Sequence, residues 1–399
     1  SNTASSSCSF IGGGSLNSTI GSTKDFIGGG FCNIICTFSD YYSCSNTIVG
    51  GTFNLISSSI SDEFKFSSDN FIGGGCRNSI SSYYSNDSNT IVGGNSNSIS
   101  AYTVSNAFIG GGRSNCVGGY SSIIVGGFLN EICENRSYSF IGGGRINIVN
   151  GTVSTIVGGC SNLANGTAAS IVGGTLNTAS SDCSFIGGGC NNSISTHIGG
   201  FIGRGRNNTI EGSGQDGFLG GGNNNYILSS TNGGHVLVGG TNNKSCNTTT
   251  GGGHTIVVGG CDNHAIGSYS SIVGGISNTA SAACSFIGGG CLNSISGYYS
   301  SFIGGGYCNS ISGNYGGHNI IGGGVQNTIS SYWSAIVGGY ANTISTNSYG
   351  TIVGGRTNTI SSGYDTFIGA GYKNKVTACQ ASIVGGFNNT ASAVWSFIG

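Results

Sequence analysis

The sequence predicts an all-β fold, a parallel β-solenoid, and three observations carry that prediction. A short apolar pair followed by two or three glycines recurs 24 times in 399 residues, at spacings of 14 to 23 residues. An Asn follows each complete copy at a fixed offset, seven residues after the first apolar residue in three-glycine copies and six after it in two-glycine copies. Proline is absent, as it should be where nearly every backbone N–H is needed for a coil-to-coil ladder.

Composition narrows the class. Charged residues make up only 6% of the chain and glycine 79 of its 399 residues, far from an ordinary globular domain. Disorder is excluded because every copy brings Ile, Val, Leu or Phe. A net charge of −1 argues against a nucleic-acid or membrane-surface partner, and no apolar run is long enough to span a bilayer. The repeat runs unbroken from Phe10 to Phe397, so residues 1–399 read as one continuous array. Asn2-Thr3-Ala4-Ser5 opens within a repeat, and Gly399 stops inside another. Neither end reads as a polar capping repeat, so a segment of a longer chain is expected.

Within one copy the apolar pair forms the first strand, since the pattern has period two and no 3.6-residue period fits. The glycines mark a sharp turn at positive φ or a close backbone approach. The first glycine occurs in all copies, and the second departs only at Arg204 and Ala370. Three-glycine copies mostly begin with Phe and two-glycine copies with Ile or Val, which suggests a one-residue bulge at that corner.

The Asn column is the most specific signal. It comprises Asn17, Asn33, Asn54, Asn78, Asn97, Asn115, Asn130, Asn147, Asn162, Asn177, Asn192 and Asn208, then Asn225, Asn243, Asn263, Asn278, Asn293, Asn309, Asn327, Asn342, Asn358, Asn374 and Asn389. Stacked at the strand spacing of ~4.8 Å, these amides satisfy one another along an internal ladder. The residue two positions later is Ile, Val or Ala in 21 of 23 copies, so it shares the inward face. Longer coils between Phe26 and Ile91 and between Phe218 and Val257 predict protruding loops at 39–46, 59–70, 83–89, 229–235 and 244–254.

Catalytic chemistry has no visible seat. The five histidines, His197, His235, His254, His264 and His318, are scattered, and no pair of carboxylates recurs at a spacing suited to acid–base work. No Gly-Lys-Ser/Thr follows the triple glycines, which are therefore not phosphate loops. His235 and His254 precede adjacent anchors, where a weak metal site is weighed against turn histidines. The expectation is a protein without catalytic residues, cofactor or metal.

Sixteen cysteines and ten Asn-x-Ser/Thr sequons lean towards an extracellular product or a cell or virion surface. Eight sequons lie outside the ladder column and are expected to carry glycans: Asn86, Asn135, Asn150, Asn165, Asn191, Asn207, Asn247 and Asn388. Asn17 and Asn243 are ladder positions and should stay bare. Cys76, Cys160, Cys190, Cys261 and Cys291 share a column without being in adjacent coils, and a two-coil gap of ~9.6 Å is too long for a disulfide. Candidate disulfides are Cys183 with Cys190 and Cys284 with Cys291 inside one coil, and the neighbouring-coil pairs Cys116/Cys133, Cys246/Cys261 and Cys291/Cys308.

Ser271, with Val273-Gly274-Gly275-Ile276-Ser277-Asn278-Thr279-Ala280-Ser281, resembles the head repeats of YadA-like trimeric autotransporter adhesins. The resemblance covers nearly all of the chain. It implies a left-handed parallel β-roll in a homotrimer, with Val273, Asn278 and Ala280 pointing into the coil and Ile272 facing outward or towards a partner chain. The chain departs from that pattern in carrying Asn where the family has Ala, in its cysteines, and in showing no coiled-coil stalk or membrane anchor.

The function expected from these residues is structural: a rigid extracellular or surface filament that self-associates axially or as an oligomer, with Phe108 and Phe140 contributing to an outward apolar stripe. The alternatives are an adhesin or receptor-binding head that recognises a glycan or protein through the long-coil loops, and, as the weakest, a β-helix carbohydrate-active enzyme.

Overall fold

The computed structural model describes the chain apart from residues 22, 39–43, 60–67, 83–87, 102–104, 230–232, 248–252, 298 and 314–316. The described residues form strands and turns with no helix, and no helix is long and apolar enough to cross a membrane. The architecture is a parallel β-solenoid. The chain divides into two compact units, Ser1–Ser195 and Thr196–Gly399. In the first, eleven anchor strands run from Phe10–Ile11 to Phe185–Ile186 and twelve ladder strands from Thr3–Ala4 to Ser193–Ile194. In the second, thirteen anchor strands run from Phe201–Ile202 to Phe397–Ile398 and twelve ladder strands from Thr209–Gly212 to Thr390–Ala391. Within each unit, neighbouring coils pair these strands in parallel, as Ser294–Ile295 pairs with Thr279–Ala280 and Ser310–Ile311.

Pairing register corrects two expectations. Ile272 aligns with Ile287, and Ser271 with Phe286. Three-glycine and two-glycine copies therefore take the same six residues from inward anchor to Asn, and no bulge separates them. The inward residue is the second of a Phe-Ile pair and the first of an Ile-Val pair. Ile272 is accordingly fully buried while Val273 is 46% exposed, the reverse of what the adhesin-like register implies for these two residues. Asn278 and Ala280 do point inward. Counted from the inward residue, the Asn lies six positions on in every full coil, and coil length runs from 15 to 24 residues.

The additional glycine in Phe coils is a backbone requirement. An added Cβ on Gly288 would lie 2.4 Å from the Gly304 carbonyl oxygen and 3.6 Å from the Phe286 ring. Phe followed by Gly and a slimmer residue followed by Val are thus two ways of placing one bulky side chain beside each inward residue.

The invariant glycine is the one three residues before each Asn. Gly275 has φ 93°, and an added Cβ would approach the Gly290 carbonyl oxygen to 2.1 Å. No larger residue fits. The middle position is different: a Cβ on Gly274 meets nothing within 4 Å, which explains why Arg204 and Ala370 are tolerated there. The residue before each Asn is also left-handed, with φ from 51° to 60°, yet it is never Gly. Its N–H is bonded, as Leu292 is to the Ile276 carbonyl at 2.9 Å, which offsets the conformational cost.

The core is narrow. Inward anchors such as Ile141 and Ile287 face inward ladder residues such as Val149 and Ile295, all fully buried, and each such aliphatic side chain contributes about 1.5–3 kcal/mol. A second buried polar column, not foreseen from sequence, sits two residues before the inward anchor. In the first unit the Asn70, Asn89 and Ala107 N–H groups donate to Asn46, Asn70 and Asn89 Oδ1 at 3.2, 3.1 and 2.9 Å. Further along that unit Ser139, Ser154 and Ala169 donate to Ser122, Ser139 and Ser154 Oγ. The long coils extend the ladder strand itself, to Ile34–Phe38, Leu55–Ser59, Tyr226–Ser229 and Lys244–Asn247. The tips of the loops expected there lie largely outside the described residues.

Candidate functional site

The Asn ladder is built from side chain to backbone. Asn278 Oδ1 accepts the Asn293 backbone N–H at 3.0 Å, and its Nδ2 donates to the carbonyls of Gly274 in its own coil and Gly290 in the next, both at 3.1 Å. Asn293 Nδ2 also reaches Asn278 Oδ1 at 3.0 Å. One amide therefore bonds three backbone groups, of which the Gly290 carbonyl also accepts the Ile276 N–H at 2.8 Å; a buried group left without its partner costs about 1–3 kcal/mol. From Asn17 to Asn374 every column member is at most 1% exposed, and Asn389 is half-buried.

The sequons separate by exposure. Asn135, Asn165, Asn191 and Asn388 are exposed, and Asn150 and Asn207 half-buried. Asn247 is buried, with its amide donating to Ser268 Oγ at 3.0 Å, and is inaccessible in the folded chain because its strand continues inward past the ladder position. Asn86 lies outside the described residues. Asn17 and Asn243 are fully buried.

All sixteen cysteines are free thiols. Cys183 and Cys190 lie on either side of the anchor strand Phe185–Ile186, as Cys284 and Cys291 do of Phe286–Ile287. Cys160 and Cys190 are separated in their column by Thr175, and Cys261 and Cys291 by Ile276. Burial, reinforced by Glu131, pushes the Cys116 thiol up to about 11, and burial likewise raises Cys133 and Cys246. These three are poor thiolate nucleophiles.

The histidines do not converge. His235 takes a place in the second polar column, 1% exposed, with Nδ1 2.6 Å from Thr255 Oγ1. Thr255 Oγ1 in turn meets Ser245 Oγ at 2.5 Å. Burial, with His197 and His254 adding to it, lowers the His235 pKa to about 4. His197 is also fully buried and its pKa is lowered by burial. Its ring fills the space beside Gly217, where a Cβ would meet His197 Cε1 at 3.0 Å. His254 faces outward against Tyr269, with ring centroids 5.8 Å apart. Among the described residues no group of three His, Cys, Asp or Glu could hold a metal ion.

What the fold assembles instead is surface. In every coil at least one bulky apolar residue faces outward beside the inward anchor, as Phe26, Val49, Phe71 and Val92 do in the first unit and Val258, Val273, Phe286 and Phe302 in the second. Where Phe coils adjoin, the rings stack, as in Phe10–Phe26 at 5.5 Å and Phe286–Phe302 at 5.4 Å. Phe108 and Phe140 lie on this face, half-buried. No Lys, Arg, Asp or Glu occupies either position flanking the inward anchor in any coil. The outward positions of the ladder strands are mostly Ser and Thr.

The glycine turn presents a different edge. Its first residue after the invariant glycine stacks in register as Asn95, Arg113, Phe128, Arg145 and Cys160 in the first unit, and as Val325, Tyr340, Arg356, Tyr372 and Phe387 in the second. The Arg113 and Arg145 guanidinium carbons lie 5.5 and 5.9 Å from the Phe128 ring centroid. Arg356 lies 5.2 and 5.5 Å from Tyr340 and Tyr372, and Lys373 Nζ lies 5.0 Å from Tyr372. The sequence matches no protein-family model and no curated protein.

Proposed function

We propose that this chain is a non-catalytic structural repeat protein of an extracellular or surface fibre, and that it self-associates through the outward face of its anchor strands. The observation that carries this reading is the apolar face: each coil adds at least one Phe, Val or Ile to it, and no charged residue interrupts it. Apolar surface of that extent marks an interaction face, and depletion of charge at its centre is what interface cores show. The resemblance to trimeric adhesin heads supports a homo-oligomer in the same sense. A backbone whose turns are held by a repeating amide ladder suits a load-bearing element better than a mobile active site.

The test is the assembly state. The native chain at micromolar concentration should sediment as an oligomer or fibre. Val337→Lys with Val353→Lys, both exposed positions, should weaken that association by about a hundredfold through two buried charges while leaving the strand content by circular dichroism unchanged. A native chain that stays monodisperse and monomeric would overturn the proposal.

A further inference from the structure

We propose that the glycine-turn edge binds an acidic polysaccharide, along Arg113, Phe128 and Arg145 in the first unit and along Tyr340, Arg356, Tyr372 and Lys373 in the second. This goes beyond the structural role and does not depend on it, because the edge is distinct from the apolar face.

The near-neutral chain hides a segregation of charge. Between the inward anchor and the Asn, the first unit carries Arg77, Arg113 and Arg145, and the second carries Arg204, Arg206, Arg356 and Lys373. Those are seven of the twelve cations of the chain, against one of its thirteen carboxylates, Asp262. Most of the carboxylates belong to the opposite turn, so the edge lacks an acidic complement of its own. Arg113, Arg145, Arg356 and Lys373 are all exposed.

Register turns these cations into a linear site. Successive coils advance by ~4.8 Å, so Arg113 and Arg145 stand ~9.6 Å apart with Phe128 between them. Arg356 stands between Tyr340 and Tyr372 in the same way, and Tyr372 meets Phe387 at 5.4 Å. A guanidinium held over a ring face keeps its in-plane N–H groups for a carboxylate or sulfate. The outward edges of the rings beside it pack against the C–H face of a pyranose. Alternation of ring and cation along a straight line matches a linear polymer whose units each have one flat face and an anionic substituent. A nucleic acid is the less favoured occupant, since phosphate recognition rests on a dense cationic field and here uncharged coils dilute it.

The experiment uses the full chain immobilised, with polygalacturonate as probe and neutral dextran and single-stranded oligo(dT) as controls, at low and high salt. Polygalacturonate should bind at least about tenfold more tightly than dextran and weaken with salt. Arg113→Gln, Arg145→Gln, Arg356→Gln and Lys373→Gln together should lose about tenfold or more. Phe128→Ala with Tyr372→Ala, at unchanged charge, should lose about threefold. Circular dichroism identical to that of the parent chain qualifies each variant. Equal binding to dextran, unchanged affinity in the Gln variant, an aromatic variant that binds as the parent does, or tighter binding to oligo(dT) would each overturn the proposal.

Discussion

The glycine turn takes six residues from inward anchor to Asn in all 23 full coils, whereas the opposite turn takes from seven to sixteen to return from the inward ladder residue to the next anchor. The difference lies in what each turn must satisfy. At the glycine turn two backbones approach so closely that a Cβ would overlap a carbonyl, and one buried amide serves three backbone groups. At the opposite turn the buried column accepts Ser, Thr, Asn, Asp, His, Ala or Gly, because a missing side chain there can be replaced by a neighbour, as His197 does beside Gly217. Constancy follows the density of unavoidable backbone contacts, and the loose turn is where length and chemistry vary.

Substitution within the tight turn should give the largest effect. Gly275→Ala is expected to cost about 3 kcal/mol or more, since it combines φ 93° with a 2.1 Å approach to a backbone oxygen. Gly274→Ala, one residue away with open space, should stay within about 0.5 kcal/mol. Urea unfolding of both variants decides the matter, and equal losses would remove close approach as the reason for the invariant glycine.

Next in size is the ladder. Asn278→Ala removes the partner of the Asn293 N–H and of the Gly274 carbonyl, for about 2–4 kcal/mol, while Ser139→Ala in the looser column should cost about 1 kcal/mol, because Ala107 and Ala169 already occupy equivalent positions. Hydrogen exchange should place the lost protection in the coils next to each substitution, as nearest-neighbour stability requires.

Acid probes the opposite turn of the second unit. His235 is neutral when folded, with its pKa lowered to about 4 by burial, and an unfolded His titrates near 6.5. Between these values the unfolded state binds a proton that the folded state does not. Stability should therefore fall by about 1.4 kcal/mol per pH unit as pH drops from about 6.5 to about 4, and level off below. His235→Ser, which restores the commoner residue of that column, should flatten the slope in chemical denaturation. A slope unchanged in that variant would show that another group controls it.

The smallest effect is expected from length. Two extra Ser residues between Ser361 and Ser362 should lower stability by less than about 1 kcal/mol, whereas the same insertion between Tyr372 and Lys373 should disrupt its coil. Thermal melts of the pair would show whether the two turns differ as sharply as their geometry requires.

The fold, the inward Asn column and the inward residue two positions beyond it were legible because period-two patterning and an unvarying Asn leave few arrangements. The orientation of the anchor pair was not. Phe286-Ile287 and Ile272-Val273 are apolar at both positions, so hydrophobicity cannot say which member points inward, and aligning the pairs on their first residue displaced the Val coils by one. The constant six-residue step to Asn278 and Asn293 held the answer. The second polar column was hidden among abundant serines, and burial of His197 and Asn247 depends on what neighbouring coils leave empty, which no single repeat displays. The cationic edge escaped attention because charge was summed over the chain and not over positions in the coil.

The exchange of Phe-x-Gly for slender-x-Val has a consequence for how copies recognise one another. In the first unit the coils from Phe10 to Phe185 run bulky, bulky, slim, bulky, slim, bulky, slim, bulky, slim, slim, bulky. The second unit opens with two Phe coils followed by three Val coils, a different order. The inward anchor beneath is Ile, Val or Leu in every coil, so neither order is needed for folding. A neighbour packed alongside and slid by one coil would meet Phe where its surface is cut for Val. If the outward face is the self-association surface proposed above, its unevenly spaced Phe and Val residues would act as a ruled scale, giving two identical chains a single alignment.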